Sequence, residues 1–389
     1  MGDRRDGKQV MVGRLSLKNQ NLQIILIIFI VAFFSRVYML GGFPYFPSES
    51  PWVGVHEGNN YGLYLDDADF KNFKGLYIDE YQLYVYAVTL TAFNLNLYEP
   101  WLQLATMKLS ISVFGSNSFA VRFPSAVFSS LSIILVYLIC VEKFKSRVAA
   151  CLSSLFLILM TPALVYNRMA FLENSVAFFF LAAYLCLIKY AQNKDEKHVL
   201  LSTVFAGLSV LCKTNGLIAP LFLVVYLAYH RLLLKNTRFL ALTAGLISLF
   251  PITLMVVNGI SFSELAAVFM RQYFVGMMSM DYTIQQYLLL SSLPSGYVLT
   301  VGSQQQLELW YVVSYVALAF IAVSEFEKVS DILLTLFSFI GLFYIVGRIS
   351  PYYLIILQPF FAVPMGYYLM KLVMYFGGIL GWTKLKPQS

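Results

Sequence analysis

Long apolar runs separated by short polar turns recur along the chain, at roughly 21–40, 118–141, 148–166, 174–191, 199–212, 216–230, 239–258, 308–324, 330–347 and 352–373. A membrane span needs about 20 apolar residues. Backbone polar groups in lipid must be satisfied internally, which makes helices the default. The pattern predicts an all-α polytopic membrane protein with about ten transmembrane helices (nine to twelve), the fifth and sixth runs being short. Two intervals break the rhythm. The first, 41–117, separates the first two runs, and within it 84–114 is apolar but interrupted by Asn94, Asn96, Glu99 and Pro100. That predicts interfacial helices inside a long first loop rather than a full span. The second, 259–307, holds an amphipathic stretch (SELAAVFMRQYFVGMMSM) and a polar-aromatic one (DYTIQQYLLLSSLPSGY). It reads either as a lid on the membrane surface over a substrate groove or as a structural cover without substrate contact.

Composition agrees with the pattern. The chain is 59% hydrophobic and 12% charged, about half the charged share of a soluble domain. The net charge of +7 sits between the spans, so it reads as topology rather than nucleic-acid binding. Arg4, Arg5, Lys8, Arg14 and Lys18 precede the first span; Lys143, Lys145 and Arg147, then Lys194 and Lys197, then Arg231, Lys235 and Arg238 fill later turns; Lys384 and Lys386 end the chain. With ten spans all of these face one side, which the positive-inside bias makes the cytoplasm. The expected organisation is a cytoplasmic segment 1–20, one transmembrane domain 21–373 and a cytoplasmic tail 374–389, in a plasma membrane. The 41–117 loop, the 259–307 segment and the turns near Arg168, Lys213 and Arg348 then lie outside. The first apolar run lacks a small-residue cleavage site and reads as a retained helix. Cys140, Cys151, Cys186 and Cys212 show no paired spacing, so neither a disulfide framework nor a cysteine metal cluster is expected.

The chemistry-bearing residues concentrate at the outer face. The first loop carries Glu49, Glu57, Asp66, Asp67, Asp69, Asp79, Glu80 and Glu99, eight of the chain's twenty acids. The short outer turns carry Asn167-Arg168 with Glu173, Lys213-Thr214-Asn215, and Arg348 before Tyr352-Tyr353. Outer cations oppose the topological bias, and as a set they point to an anion held at that surface; singly, each reads as a snorkelling helix end. The same alternative applies to Arg36 and Arg122. The chain has no GxxxxGK[ST], GxGxxG or HExxH, which argues against the common ATP-driven pumps and membrane metalloproteases.

Four segments carry a resemblance. GSNSFAVRFPSAVFSSLSIILVYLI (115–139), YNRMAFLENSVAFFFLAAYL (166–185), GLSVLCKTNGLIAPL (207–221) and RISPYYLIILQPFFAVPMG (348–366) are similar, in order, to motifs of the GT-C polyprenyl-phosphate-sugar-dependent glycosyltransferases, in the branch of protein O-mannosyltransferases and lipid A aminoarabinose transferases. The resemblance implies a GT-C-like bundle with a catalytic first outer loop. Members of that family carry Asp-Glu soon after the first helix; here VHEGNNYGLY places His56 at the Asp and keeps Glu57. A second acidic pair, Asp79-Glu80, follows, and then YEPW, where Glu99 matches a charged position and Trp101 replaces a proline.

Transfer from a lipid phosphate needs a base for the acceptor, cations for the departing phosphate and an apolar groove for the prenyl tail. The resemblance implies Glu57 as base, or Glu57 with Asp79, and inversion at the anomeric carbon. Glu80 and Glu99 would position the acceptor or a divalent cation, although no metal ligand set is defined. Lys213 and Arg348 would hold the phosphate, helped by Arg168 and Arg122, with His56, Tyr352 and Tyr353 also lining the site. Each acid reads equally well as a solvated loop charge. The implied partners are a polyprenyl-phosphate sugar, a lipid, glycan or protein acceptor, and membrane lipids. Two other classes stay open: a transporter or flippase for a lipid-linked or small anionic substrate, and an inactive binding protein descended from the enzyme, which the His56 replacement suggests. Against a transporter, the charges gather at one face and no repeated half is visible.

Overall fold

The computed structural model describes residues 3–41, 78–91, 99–273, 304–346 and 351–379. These form α1 (Asp3–Val37), α2 (Ile78–Thr89), α3 (Trp101–Phe114), α4 (Ser118–Phe144), α5 (Arg147–Leu159), α6 (Thr161–Tyr166), α7 (Glu173–Asn193), α8 (Glu196–Cys212), α9 (Ile218–Tyr229), α10 (Thr237–Asn258), α11 (Phe262–Tyr273), α12 (Gln304–Ser324), α13 (Ser330–Val346) and α14 (Gln358–Ile379). Among the described residues, five helical segments are long and apolar enough to cross a membrane: Gln20–Val37, Ser118–Phe144, Glu173–Asn193, Leu234–Val257 and Gln358–Gly377. Four shorter apolar segments accompany them, at Arg147–Leu159, Thr214–Tyr229, Leu309–Ser324 and Ser330–Leu342. Helix underlies each of the ten apolar runs. Within the first loop, α2 and α3 occupy the parts of 78–114 that are described; 42–77 and 274–303 lie outside the described residues.

The bundle is centred on α7, whose span is 78% buried, against 17% for α1 and 12% for α10 at the periphery. α7 packs antiparallel to α8 and also against α4. Its inward face carries Phe180 and Tyr184, which meet Phe222 of α9 and Phe360 of α14 at ring separations of 4.7–5.6 Å. Such edge and tilted contacts suit the aromatic quadrupole. Gly366 lets α14 press onto α5: a Cβ there would meet Ser153 Oγ at 2.0 Å and Ser153 N at 2.3 Å.

The apolar run 148–166 is two helices rather than one. Pro162 has no N–H and its ring excludes a continuous helix, so α5 ends at Leu159 and α6 restarts at Thr161. The break leaves the carbonyls of Leu157 and Ile158 without helical donors. Arg36 supplies them, Nη2 to Leu157 O at 3.0 Å and Nη1 to Ile158 O at 3.3 Å. Arg36 is fully buried, so this arginine turns into the bundle instead of snorkelling.

Candidate active site

Helix ends place the charges. α7 begins with Glu173 and α8 ends at Cys212, capped by Lys213. Because the two helices are antiparallel, the acid meets the positive dipole end of α7 and the lysine the negative end of α8, where each charge is favoured. Glu173 is fully buried. Its Oε1 is 2.9 Å from Lys213 Nζ and accepts from Asn215 Nδ2 at 3.1 Å. Lys213 Nζ also lies 3.7 Å from Glu99 Oε1 and 5.6 Å from the centroid of the Tyr353 ring. Glu173 Oε2 and Asn215 Oδ1 are buried with no hydrogen-bond partner among the described residues. A buried polar atom left this way carries a cost of about 1–3 kcal/mol until something bonds to it. The turn is fixed by Gly216, where a Cβ would stand 2.1 Å from Ser209 O.

Beside this cluster the 167–172 turn is held inside the bundle by side chains. Ser129 Oγ bonds Asn167 O at 3.3 Å, Ser125 Oγ bonds Phe171 O at 3.2 Å, and Asn174 Nδ2 reaches Tyr166 O and Phe171 O at 3.3 and 3.2 Å. Irregular backbone buried inside a helical bundle persists only when its polar groups are satisfied in this way. Glu80, in the first turn of α2, completes the bracing. It accepts from Ala170 N at 2.8 Å and from Arg122 Nε and Nη2 at 2.8 and 2.7 Å, with both side chains fully buried. Arg122 Nη1 also bonds Leu40 O at 3.2 Å, and Arg168 Nη2 bonds Tyr38 O. These contacts tie the C-terminal end of α1 to the turn. Burial, and then repulsion from Arg122, lower the pKa of Arg168 to about 10.

The predicted residues therefore fall into two adjoining groups. Lys213, Glu99 and Tyr353 come together; Glu80 and Arg122 come together, with Arg168 beside them. The Glu80 carboxylate already accepts three hydrogen bonds, which commits it to anchoring the turn. Asp79 and Tyr352 lie on helical backbone in α2 and in the 3₁₀ turn Pro351–Ile356, whereas His56, Glu57 and Arg348 lie outside the described residues. Among the described residues no group of three His, Cys, Asp or Glu gathers closely enough to hold a metal ion. Glu173 and Asn215 are the members that the expected set of site residues omitted. The available signal was an acid opening one apolar helix and a Lys-x-Asn closing the next.

An apolar wall adjoins the charges. Trp101 and Leu102, just after Glu99, pack with Leu211, two residues before Lys213, and with Leu254 and Leu265. A lysine held between two acids, with buried acceptors unbonded among the described residues and an apolar wall beside it, brings together the polar and apolar groups that a sugar phosphate on a hydrocarbon chain would meet.

Residues 99–255 match the model of the family described as dolichyl-phosphate-mannose-protein mannosyltransferase. Solved structures of ArnT from Cupriavidus metallidurans superpose on 94% of this chain. The form bound to undecaprenyl phosphate has TM-score 0.60 and 14% identity, and the apo form TM-score 0.54 and 14% identity. The fold is GT-C. The chain spans 62% of the ArnT length. No curated protein sequence matches it. The matched segment begins at Glu99 and contains Arg122, Arg168, Glu173, Lys213 and Asn215, so most of the site cluster lies within the matched residues.

Proposed function

We propose that this chain is a membrane glycosyltransferase that moves a sugar from a polyprenyl-phosphate donor to a lipid, glycan or protein acceptor. The observation that carries the reading is the Lys213–Glu173–Asn215 cluster, with Glu99, Tyr353 and the Trp101 wall beside it. Lys213 stands where a departing phosphate gains a charge-assisted partner. Glu173 and Asn215 offer buried oxygens to sugar hydroxyls. The family match and the GT-C fold support the same chemistry, and the ArnT that this chain resembles binds undecaprenyl phosphate.

The site end of the bundle faces outward and the basic turns face the cytoplasm in this reading, as do both termini. A carboxylate of the first loop, Glu57 or Asp79, takes the acceptor proton as the acceptor attacks the anomeric carbon. The phosphate leaves from the opposite face, held by Lys213 and Arg348, and the configuration inverts. Binding of a polyprenyl-phosphate sugar to the purified protein in lipid tests the cluster. Lys213→Gln should weaken binding by about tenfold to a hundredfold, as expected for one charge-assisted hydrogen bond worth about 1.5–3 kcal/mol. Unchanged affinity would remove Lys213 from the phosphate site.

A further inference from the structure

A polar cavity lies at the end of the bundle opposite the Lys213 cluster. Glu173 and Gln192 are 19 residues apart on α7, which separates the two regions by about 28 Å along the helix. The cavity has a volume of about 290 Å³, and Lys143, Tyr226, His230, Glu327, Lys328 and Asp331 line it. Transfer at the far end uses none of these groups.

Its inner wall is saturated. Asp331 is 6% exposed. It accepts from Lys143 Nζ, from Tyr184 OH at 2.7 Å and from Ile332 N at 3.0 Å. Its rim is bonded but uneven in charge. Lys328 Nζ lies 2.6 Å from Glu325 Oε2 and donates to Tyr367 OH at 2.5 Å, and Lys371 pairs with the same carboxylate, so two ammonium groups share one acid. One residue before Lys328, the exposed carboxylate of Glu327 makes no ion pair or hydrogen bond among the described residues. The rim thus presents one surplus positive and one uncompensated negative charge on a single 3₁₀ turn, Phe326–Lys328. His230 adds a ring, held 4.4 Å from that of Tyr226.

A simple anion entering here meets Glu327, and a simple cation meets Lys328. A ligand carrying both charges a few ångströms apart satisfies both. Beside the rim, Phe326 and Val323 are 54% and 91% exposed, a surface that acyl chains would cover.

We propose that the cavity holds the headgroup of a phospholipid bearing both a phosphate and a primary ammonium, an ethanolamine-type headgroup. The phosphate lies on Lys328 and His230, and the ammonium donates to Glu327. A choline headgroup matches the charges but has no N–H to give Glu327, and a glycerol phosphate has no cation.

The test measures lipid retained by the purified full chain, by native mass spectrometry, against ethanolamine, choline and glycerol phospholipids of one acyl composition. Soluble phosphoethanolamine serves as a competitor. The ethanolamine lipid should bind about tenfold more tightly than the other two, the worth of one charge-assisted bond. Glu327→Gln and Lys328→Gln should each erase that preference, and Glu327→Lys should turn it toward the glycerol phospholipid. Both residues sit at the rim, so an unchanged elution profile serves as the folding control. Competition by phosphoethanolamine only at far higher concentration assigns the site to lipid; equal competition supports the same chemistry with a soluble source. Equal binding of the three lipids, or a preference unmoved by all three variants, overturns the proposal.

Discussion

Replacing Glu80 with leucine removes the acid that bonds the Arg122 guanidinium, and both side chains are fully buried. Removing one partner of a buried ion pair costs about 3–5 kcal/mol, because the other charge is left uncompensated in a low-dielectric site. The same substitution takes the acceptor from Ala170 N, 2.8 Å away, which adds about 1–3 kcal/mol for a buried amide left without a bond. Arg122→Met does the converse and strands Glu80, while freeing Leu40 O. The double variant leaves neither charge, so its cost should fall below the sum of the singles by about 3 kcal/mol or more, well above the additivity error of about 0.5 kcal/mol for independent sites. Denaturant titration of all four proteins in mixed micelles, followed by tryptophan fluorescence, closes this cycle. Additive singles, or a Glu80→Leu cost below about 1 kcal/mol, would refute the assignment of Glu80 to anchoring and return it to the pool of catalytic acids.

Three further outcomes follow from the geometry. Gly216→Ala should lower stability and donor affinity together, because a Cβ 2.1 Å from Ser209 O must displace the turn that carries Lys213 and Asn215; hydrogen exchange across 207–221 reads the displacement. Glu173→Gln should keep the fold while weakening sugar transfer by at least about tenfold, since the amide retains shape but surrenders the charge opposite Lys213; full activity would place the acid outside the chemistry. At α11, Ser261 and Glu264 form a reciprocal cap, with Ser261 N and Oγ each 2.8 Å from Glu264 Oε2 and Glu264 N donating to Ser261 Oγ at 3.2 Å. These bonds hold the Glu264 pKa below its ordinary value, so the cap is intact above that ordinary value and is lost as pH falls through the lowered one. Amide protection factors in 262–267, corrected for the intrinsic rate at each pH, should therefore fall in acid, and Glu264→Gln, which removes the titrating group, should abolish that pH dependence.

Much of the fold was legible because lipid imposes a simple rule: apolar runs of sufficient length become helices, and helix underlies every run proposed. The charged turns were legible as a set, and Lys213 does meet Glu99 and Tyr353. Pairings between distant residues were hidden. Periodicity carries no information that Glu80 meets Arg122 across 42 positions, or that Lys143 meets Asp331 across 188. The break at Met160 was readable from Pro162, but its compensation by Arg36 required the three-dimensional arrangement. Glu173 was visible as an acid before an apolar helix, yet only the antiparallel packing of α7 and α8 brings it to Lys213. The inner cavity left no motif, because its charges come from separate helix ends and each alone reads as an ordinary cytoplasmic turn.

The central claim is sugar transfer from a lipid phosphate, and turnover tests it most directly. Purified protein in lipid would be given a panel of radiolabelled polyprenyl-phosphate sugars, with wild type run beside Glu57→Gln, Asp79→Asn and Lys213→Gln. The account predicts release or transfer of sugar from at least one donor, loss of turnover in one of the two carboxylate variants, and weakened donor use in Lys213→Gln. Failure of every donor to bind would contradict it and favour a transporter of other anionic substrates.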